Sequence, residues 1–322
     1  MRSWLVGLLL AVVLLACAAL AWRFVASRSS APRPERLAVC ASLFPLYEWA
    51  KEVADPDADV GIVGAAADPH HFEPTLSDLA LIGRARVLLV VGLGLEPWSR
   101  RAAHPPGAGQ TPELWEAGTW VATRRPDAAH AHQHAVGERG DERHEEAGHA
   151  EEGGADPHVW LDPVRAARIV RRLGGEFARV DPAHAEGYRQ RSERYAGELM
   201  RLADELQELA RPLAGRKVVV FHDAYGYLLE RLGLERALAV QPCAGVEPGA
   251  RDVAEAAQKL RELGQQVVFA EVSHQAQAQA LAETIGGRVV NLDTLTAAQA
   301  PWGRTYAERL RYNVRALLEG LK

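Results

Sequence analysis

The sequence predicts an α/β protein in which two lobes of parallel β-sheet, flanked by helices, are joined by one long rigid helix. Short apolar runs typical of buried strands alternate with helical stretches in both halves of the chain, as in βαβ units. After Asp181-Pro182, apolar residues recur at spacings of 7, 4 and 3 residues, which indicates a helix packed along one side. That helix would span roughly 30 residues and about 45 Å, a length suited to connecting two lobes. With 322 residues, the chain is long enough to build two domains.

Composition excludes several classes of protein. Charged residues make up 25% of the chain and hydrophobic residues 48%, which is ordinary for a soluble globular protein. The net charge of -5 argues against a nucleic acid as partner. The 3 cysteines form neither a disulfide framework nor a metal-site spacing, and Cys243 has no neighbouring cysteine with which to pair.

The N-terminal segment, residues 1–35, is predicted to be an export signal followed by a tether. Its apolar run extends from Trp4 to Trp22, and three interpretations remain open. Leu-Leu-Ala-Cys17 resembles a lipobox that would leave a lipid on Cys17, Ala19-Leu-Ala21 matches a signal-peptidase site, and the whole run could persist as a membrane-spanning helix. Because the run continues past Cys17, attachment by a lipid or an anchor is favoured over release. Each interpretation puts the remaining chain outside the cytoplasm, in the periplasm or on the outer face of the membrane.

The first lobe is predicted to comprise residues 36–180. A helix should follow its first strand, from Pro45 to about Ala54, and the predicted strands are 36–44, 59–63, 86–91 and, more weakly, 120–122.

Residues 181–213 should form the linking helix and residues 214–322 the second lobe. The strands predicted there are 217–221, 266–270 and 288–292, and each is followed directly by a polar residue: His222, Glu271 and Asp293. Parallel sheets place their binding sites at the carboxyl ends of strands, so these side chains are candidates for a shared site.

A histidine-rich segment, residues 129–155, interrupts the first lobe. It lacks apolar periodicity, which predicts a solvated loop without fixed structure. One interpretation is a weak metal collector and the other is an acidic spacer that happens to contain histidine. The histidines concerned are His130, His132, His134, His144 and His149.

The motif Asp156-Pro-His-Val-Trp-Leu-Asp-Pro163 holds a single imidazole between two Asp-Pro pairs. Asp162 and Pro163 are typical of a helix start, with an N-cap followed by the first helical residue. That interpretation leaves His158 unexplained. Because proline restricts the backbone on both sides of the turn, a rigidly aimed metal ligand is a second interpretation for His158.

Four residues from separate segments make a candidate metal site: His70, His158, His222 and Asp293. Three imidazoles and a carboxylate suit Zn²⁺, which takes four nitrogen, oxygen or sulfur ligands in tetrahedral geometry. Two alternatives remain open: Glu271 could share or replace Asp293, and His71 could replace its neighbour His70. We expect His104, His184 and His274 to be surface residues without a metal context.

From Arg36 onward, the chain resembles the zinc/manganese-type solute-binding proteins of bacterial ABC transporters. The motifs that carry the resemblance are Asp68-Pro-His-His-Phe-Glu-Pro74, Gly92-Leu-Gly-Leu-Glu96, Asp156-Pro-His-Val-Trp-Leu-Asp-Pro163, Phe221-His-Asp-Ala-Tyr-Gly-Tyr227 and Tyr312-Asn313. The resemblance implies a metal held between the two lobes by His70, His158, His222 and Asp293. It also implies delivery of that metal to a membrane permease subunit, without enzymatic activity.

Within this family, histidine at the position of His222 is typical of zinc binders and glutamate of manganese binders, so zinc is the expected ion. A manganese- or iron-binding relative, a metal-binding adhesin and a zinc-dependent hydrolase are the alternatives. A hydrolase would need a general base, for which Asp223 is the candidate, although orienting an imidazole is its simpler role. The apolar stripe of the long helix is too short to favour a coiled-coil dimer, so we expect a monomer.

Overall fold

The computed structural model describes residues 36–65, 68–104, 111–125, 154–241 and 248–322. The predicted export segment and the histidines between residues 130 and 149 lie outside these ranges. Within them, no helix combines the length and apolar character needed to cross a bilayer. Both β-sheets belong to one compact unit, Leu37–Lys322.

The first sheet contains parallel strands in the order β2-β1-β3-β4. Its central strands coincide with the apolar runs predicted from the sequence, because they are covered on both faces. In chain order the elements are β1 (Leu37–Ala41), α1 (Phe44–Ala54), β2 (Ala58–Ile62), α2 (Leu76–Ile82), β3 (Val87–Val90), α3 (Ser99–Ala103) and β4 (Glu113–Glu116).

The fourth strand was predicted in the wrong place. It lies at Glu113–Glu116, whereas Trp120, the start of the predicted strand 120–122, is the last residue of a 3₁₀ helix, Ala117–Trp120. Among the described residues, β4 pairs with β3 alone and so lies at the edge of the sheet, and a glutamate lies at each of its ends. Such a strand buries little more than Trp115, so it lacks the continuous apolar run of a central strand.

The second sheet is also parallel, in the order β6-β5-β7-β8. β5, β7 and β8 confirm the predicted strands. β6 was not predicted, because its sequence mixes charged and apolar residues without a clear alternation, and its pairing with β5 is irregular. The elements are β5 (Lys217–His222), α6 (Gly226–Leu232), β6 (Glu235–Gln241), α7 (Ala250–Glu262), β7 (Val267–Ala270), α8 (Gln275–Thr284), β8 (Arg288–Asn291) and α9 (Tyr306–Gly320).

Two helices connect the sheets: α4 (Pro163–Val180) and the long helix α5 (Ala185–Ala210). Asp162 caps α4 as predicted, with its side chain accepting a hydrogen bond from the Val164 N–H at 3.0 Å. α5 has 26 residues and is therefore about 39 Å long, slightly shorter than predicted. It packs against α1 and α4 of the first lobe and against α9 of the second, so it joins the two lobes.

Candidate metal centre

Three imidazoles meet between the lobes. The potential ligand atoms of His70, His158 and His222 all lie within 4.8 Å of one another, and the ring centroids are 5.3 to 5.5 Å apart. The Nε2 atoms of His70 and His158 are separated by 3.3 Å. Two nitrogens bound to a tetrahedral zinc ion at 2.0–2.1 Å would be about 3.3–3.4 Å apart. The spacing therefore fits a single ion bound by these nitrogens.

His70 follows β2 in a turn that begins at Asp68. The Asp68 Oδ1 atom accepts a hydrogen bond from the His70 backbone N–H at 3.0 Å and so fixes the turn. Burial, together with the neighbouring imidazoles of His158 and His222, lowers the pKa of His70 to about 3. The ring is therefore neutral at physiological pH, as a metal ligand must be. The adjacent His71 is exposed and lies outside the cluster.

His158 is fixed by the carboxylate of Asp156. Asp156 Oδ1 contacts both the backbone N–H of His158, at 3.0 Å, and its ring Nδ1, at 2.8 Å. A carboxylate at Nδ1 favours the tautomer with a proton on that nitrogen, which leaves Nε2 free to bind a metal. The Asp-Pro-His sequence thus supplies both the imidazole and the group that orients it.

His222, the last residue of β5, faces Glu271 at the end of the neighbouring strand β7. Its Nδ1 lies 3.3 Å from Glu271 Oε1. Burial acts to lower the pKa of His222, but the close contact with the Glu271 carboxylate and its negative charge outweigh burial, so the pKa is raised. Burial likewise opposes ionisation of Glu271, yet its contacts with His222 and His274 lower its pKa to about 2. Glu271 is therefore an anion held among imidazoles.

His274 does not lie on the surface as predicted. A short 3₁₀ helix, Val272–His274, folds its ring back over the end of β7. There Nδ1 is 3.3 Å from Glu271 Oε2, and the ring stacks on Phe221. The sequence did contain a signal for this contact: His274 lies three residues after Glu271, and one turn of 3₁₀ helix brings residues at that spacing together.

Asp293 shares the cavity with the imidazoles but is not part of their cluster. The Arg309 guanidinium donates to both of its carboxylate oxygens, from Nε at 2.5 Å and from Nη2 at 2.8 Å. The cavity has a volume of about 400 Å³, and its wall includes His274, Glu271 and Asp68 as well. Residues of both lobes therefore line it.

Asp223 has a different role from either one predicted for it. Its carboxylate pairs with Arg236 at 3.1 Å, while the carboxylate beside the His222 ring belongs to Glu271. Within the described part of the chain, Asp223 contributes nothing to the cavity wall. A general base for a hydrolase is therefore not supplied by this residue.

Comparison with known proteins identifies relatives along nearly the whole chain. A family described as zinc-uptake complex component A, periplasmic, matches residues 39–320. The high-affinity zinc uptake system protein ZnuA of Bacillus subtilis (strain 168) is 26% identical over 91% of this chain and 90% of its own length. The zinc-binding protein AdcA of Streptococcus pyogenes serotype M3 is 26% identical over 88% of this chain, which spans only 55% of AdcA.

A solved structure has the same fold. The laminin binding protein Lmb of Streptococcus agalactiae, described as bifunctional with adhesin and metal transporting activity, superposes with a TM-score of 0.73. It is 27% identical to this chain, and the alignment covers 89% of this chain and 100% of Lmb.

Proposed function

Because the chain belongs to the family of periplasmic zinc-uptake component A proteins, we propose that it captures Zn²⁺ outside the cytoplasm and delivers it to the permease of an ABC transporter. The observation that carries this proposal is the convergence of His70, His158 and His222 on one point between the lobes. These three imidazoles are the ligands that we propose. For Asp293 to act as the fourth ligand, Arg309 would have to release its carboxylate.

The chemistry of the cluster favours zinc over manganese. Imidazole nitrogen suits Zn²⁺, whereas Mn²⁺ prefers carboxylate, carbonyl and water oxygens. His222 supplies a nitrogen where a manganese-binding relative would carry a glutamate. Neighbouring carboxylates orient His158 and His222, as is usual for imidazoles that bind metals.

The family is a substrate-binding component of transport and not an enzyme family. The rival hypothesis of a zinc hydrolase also finds no support in Asp223, which is paired with Arg236 away from the cavity. An adhesin role is the second candidate, and the observation that favours it is the structural likeness to Lmb.

The remaining assignments extend the proposal to the whole chain. The protein would act as a monomer, attached to the membrane by a lipid on Cys17 or by its apolar N-terminus. The histidines between residues 130 and 149 would bind further zinc weakly, because imidazoles beside carboxylates can collect metal without a preformed site. Its partner would be the membrane subunit of the transporter.

Zinc titration of the full chain tests the site. We expect one tight zinc ion per molecule, with additional weak binding. His158→Ala should remove the tight site because it deletes a ligand, and it should leave the weak binding unchanged. His104→Ala is the matched control, since His104 is exposed and lies outside the cluster. Tight zinc binding that survives in His158→Ala would refute the site.

A further inference from the structure

Arg309 is a buried cation beside the candidate metal site. It lies on α9 and is 1% exposed. Apart from its two hydrogen bonds to Asp293, its Nη1 donates to the Ala297 carbonyl at 2.7 Å. The guanidinium carbon also lies 4.6 Å from the centre of the Phe44 ring, in the first lobe. Contacts on several sides therefore fix its position.

Asp293 is fixed just as firmly. Its Oδ1 accepts a further hydrogen bond from the Leu295 N–H at 2.8 Å. The Asn313 side chain accepts from the Asp293 N–H and donates to the Asp293 carbonyl, both at 2.7 Å. Both carboxylate oxygens of Asp293 therefore accept hydrogen bonds from protein donors.

We propose that Arg309 is a residue that determines metal selectivity, because it holds Asp293 in an ion pair and withholds that carboxylate from the metal. The inference rests on the proposed function and specifies how the site discriminates between ions. Zinc would be bound by three imidazoles, with its fourth coordination position left to an exchangeable ligand. Asp293 would hold Arg309 in place in the cavity wall.

The physical reason is that a carboxylate ligand raises the affinity for Mn²⁺ more than it raises the affinity for Zn²⁺. Mn²⁺ depends on oxygen ligands, whereas three imidazoles already bind Zn²⁺ well. To recruit Asp293, an ion would have to leave a buried guanidinium without its partner, which is strongly unfavourable. Of the other carboxylates of the described wall, Asp68 accepts from the His70 N–H at 3.0 Å, and Glu271 lies 3.3 Å from a ring nitrogen of His222 and of His274. The site therefore penalises an oxygen-seeking ion more than it penalises zinc.

Competition titrations of zinc against manganese on Arg309→Gln test the inference. Release of Asp293 should raise manganese affinity relative to zinc by roughly 10- to 100-fold, the range in which outer contacts tune metal sites. Arg231→Gln is the matched control, because Arg231 forms a similar two-point pair with buried Asp162 outside the cavity wall. The control should keep the affinity ratio of the wild type. An unchanged ratio in folded Arg309→Gln would overturn the inference.

Asp293→Asn provides a second test that does not depend on the folding of Arg309→Gln. It should reduce zinc affinity by at most roughly 10- to 100-fold, as for an outer contact, and by less than His158→Ala does. A loss as large as that in His158→Ala would make Asp293 a ligand and overturn the inference.

The double variant Arg309→Gln/Asp293→Asn removes both charges and should restore the zinc-to-manganese affinity ratio of the wild type, because Arg309 acts through Asp293. If the wild type itself bound no zinc tightly, the proposed function would fail instead.

Discussion

Two imidazoles of the candidate site, His70 and His222, differ in how readily they take up a proton. Burial and the adjacent imidazoles lower the pKa of His70 to about 3, so this ring stays neutral. The pKa of His222 is raised, because Glu271 outweighs the opposing effect of burial. A protonated imidazole cannot bind a metal, so protons compete with zinc more directly at His222 than at His70.

Zinc affinity should therefore fall as the pH drops through the raised pKa of His222, starting above the ordinary value of 6.5. In Glu271→Gln a neutral amide replaces the anion that raises this pKa, so the fall should move to lower pH. Zinc titrations between about pH 5.5 and 8.5 would measure the shift around the ordinary imidazole pKa. Glu262→Gln, an exposed change on α7, serves as control. Identical pH profiles for Glu271→Gln and the wild type would contradict this role of Glu271.

Much of the site could be predicted because its residues carry local signals. His158 stands in an unusual motif, and His222, Glu271 and Asp293 each follow an apolar run. The pairing of Asp293 with Arg309 could not be predicted, since the two lie on different elements and no local pattern joins them. His274 was missed because its spacing of three residues from Glu271 predicts a contact only if the turn after β7 is a 3₁₀ helix.

At the scale of elements, Glu96 ties together the turns that follow β1 and β3. Its Oε1 accepts from the Ser42 hydroxyl at 2.6 Å and from the Val91 N–H at 3.0 Å, and its Oε2 accepts from the Gly92 N–H at 2.9 Å. Gly92 is required in this turn, because its φ is +74° and an added Cβ would lie 2.8 Å from the Glu116 Cβ. Both turns lie at the carboxyl edge of the first sheet.

Stability should depend on pH through Glu96. Burial raises the pKa of Glu96 from 4.5 to about 7, although its three hydrogen bonds act in the opposite direction. A raised pKa means that the folded state binds the proton more tightly, so this stabilisation is full below pH 4.5 and is lost as the pH rises through 7. The free energy of unfolding of the wild type minus that of Glu96→Gln should thus decrease by about 3 kcal/mol over this range.

Denaturant unfolding of both proteins at about pH 4.5 and pH 8, which bracket the raised pKa, would measure this difference. The glutamine variant controls for every other titrating group. An increase in the difference with pH would mean that the three hydrogen bonds dominate and that Glu96 ionises more readily than an exposed carboxyl group.

The elements that could be predicted are those whose burial leaves a pattern in the sequence. Central strands such as β3 and β7 are buried on both faces and read as continuous apolar runs. The edge strands β4 and β6 were misplaced or missed because tertiary pairing, and not their own composition, makes them strands. The long helix was recognisable because most of the residues that it buries are apolar and recur on one face.

At the scale of the whole molecule, hydrogen bonds across the cleft join the two lobes. Trp160 Nε1 donates to the Thr294 carbonyl at 2.7 Å, and the Tyr306 hydroxyl donates to the Trp160 carbonyl at 2.6 Å. The Tyr306 N–H also donates to Glu48 on α1. A metal held by His70 and His158 of the first lobe and by His222 of the second would add one more connection across the same cleft.

Zinc should therefore stabilise both sheets together. An ion that binds only the folded protein, at about 100 times its dissociation constant, adds about 2.7 kcal/mol to the free energy of unfolding. Because the proposed ligands come from both lobes, amide hydrogen exchange should slow in β3 (Val87–Val90) and in β7 (Val267–Ala270) alike. His222→Ala leaves only ligands of the first lobe, so zinc should protect both strands much less in this variant. Protection by zinc confined to one sheet of the wild type would mean that the ion does not bridge the lobes.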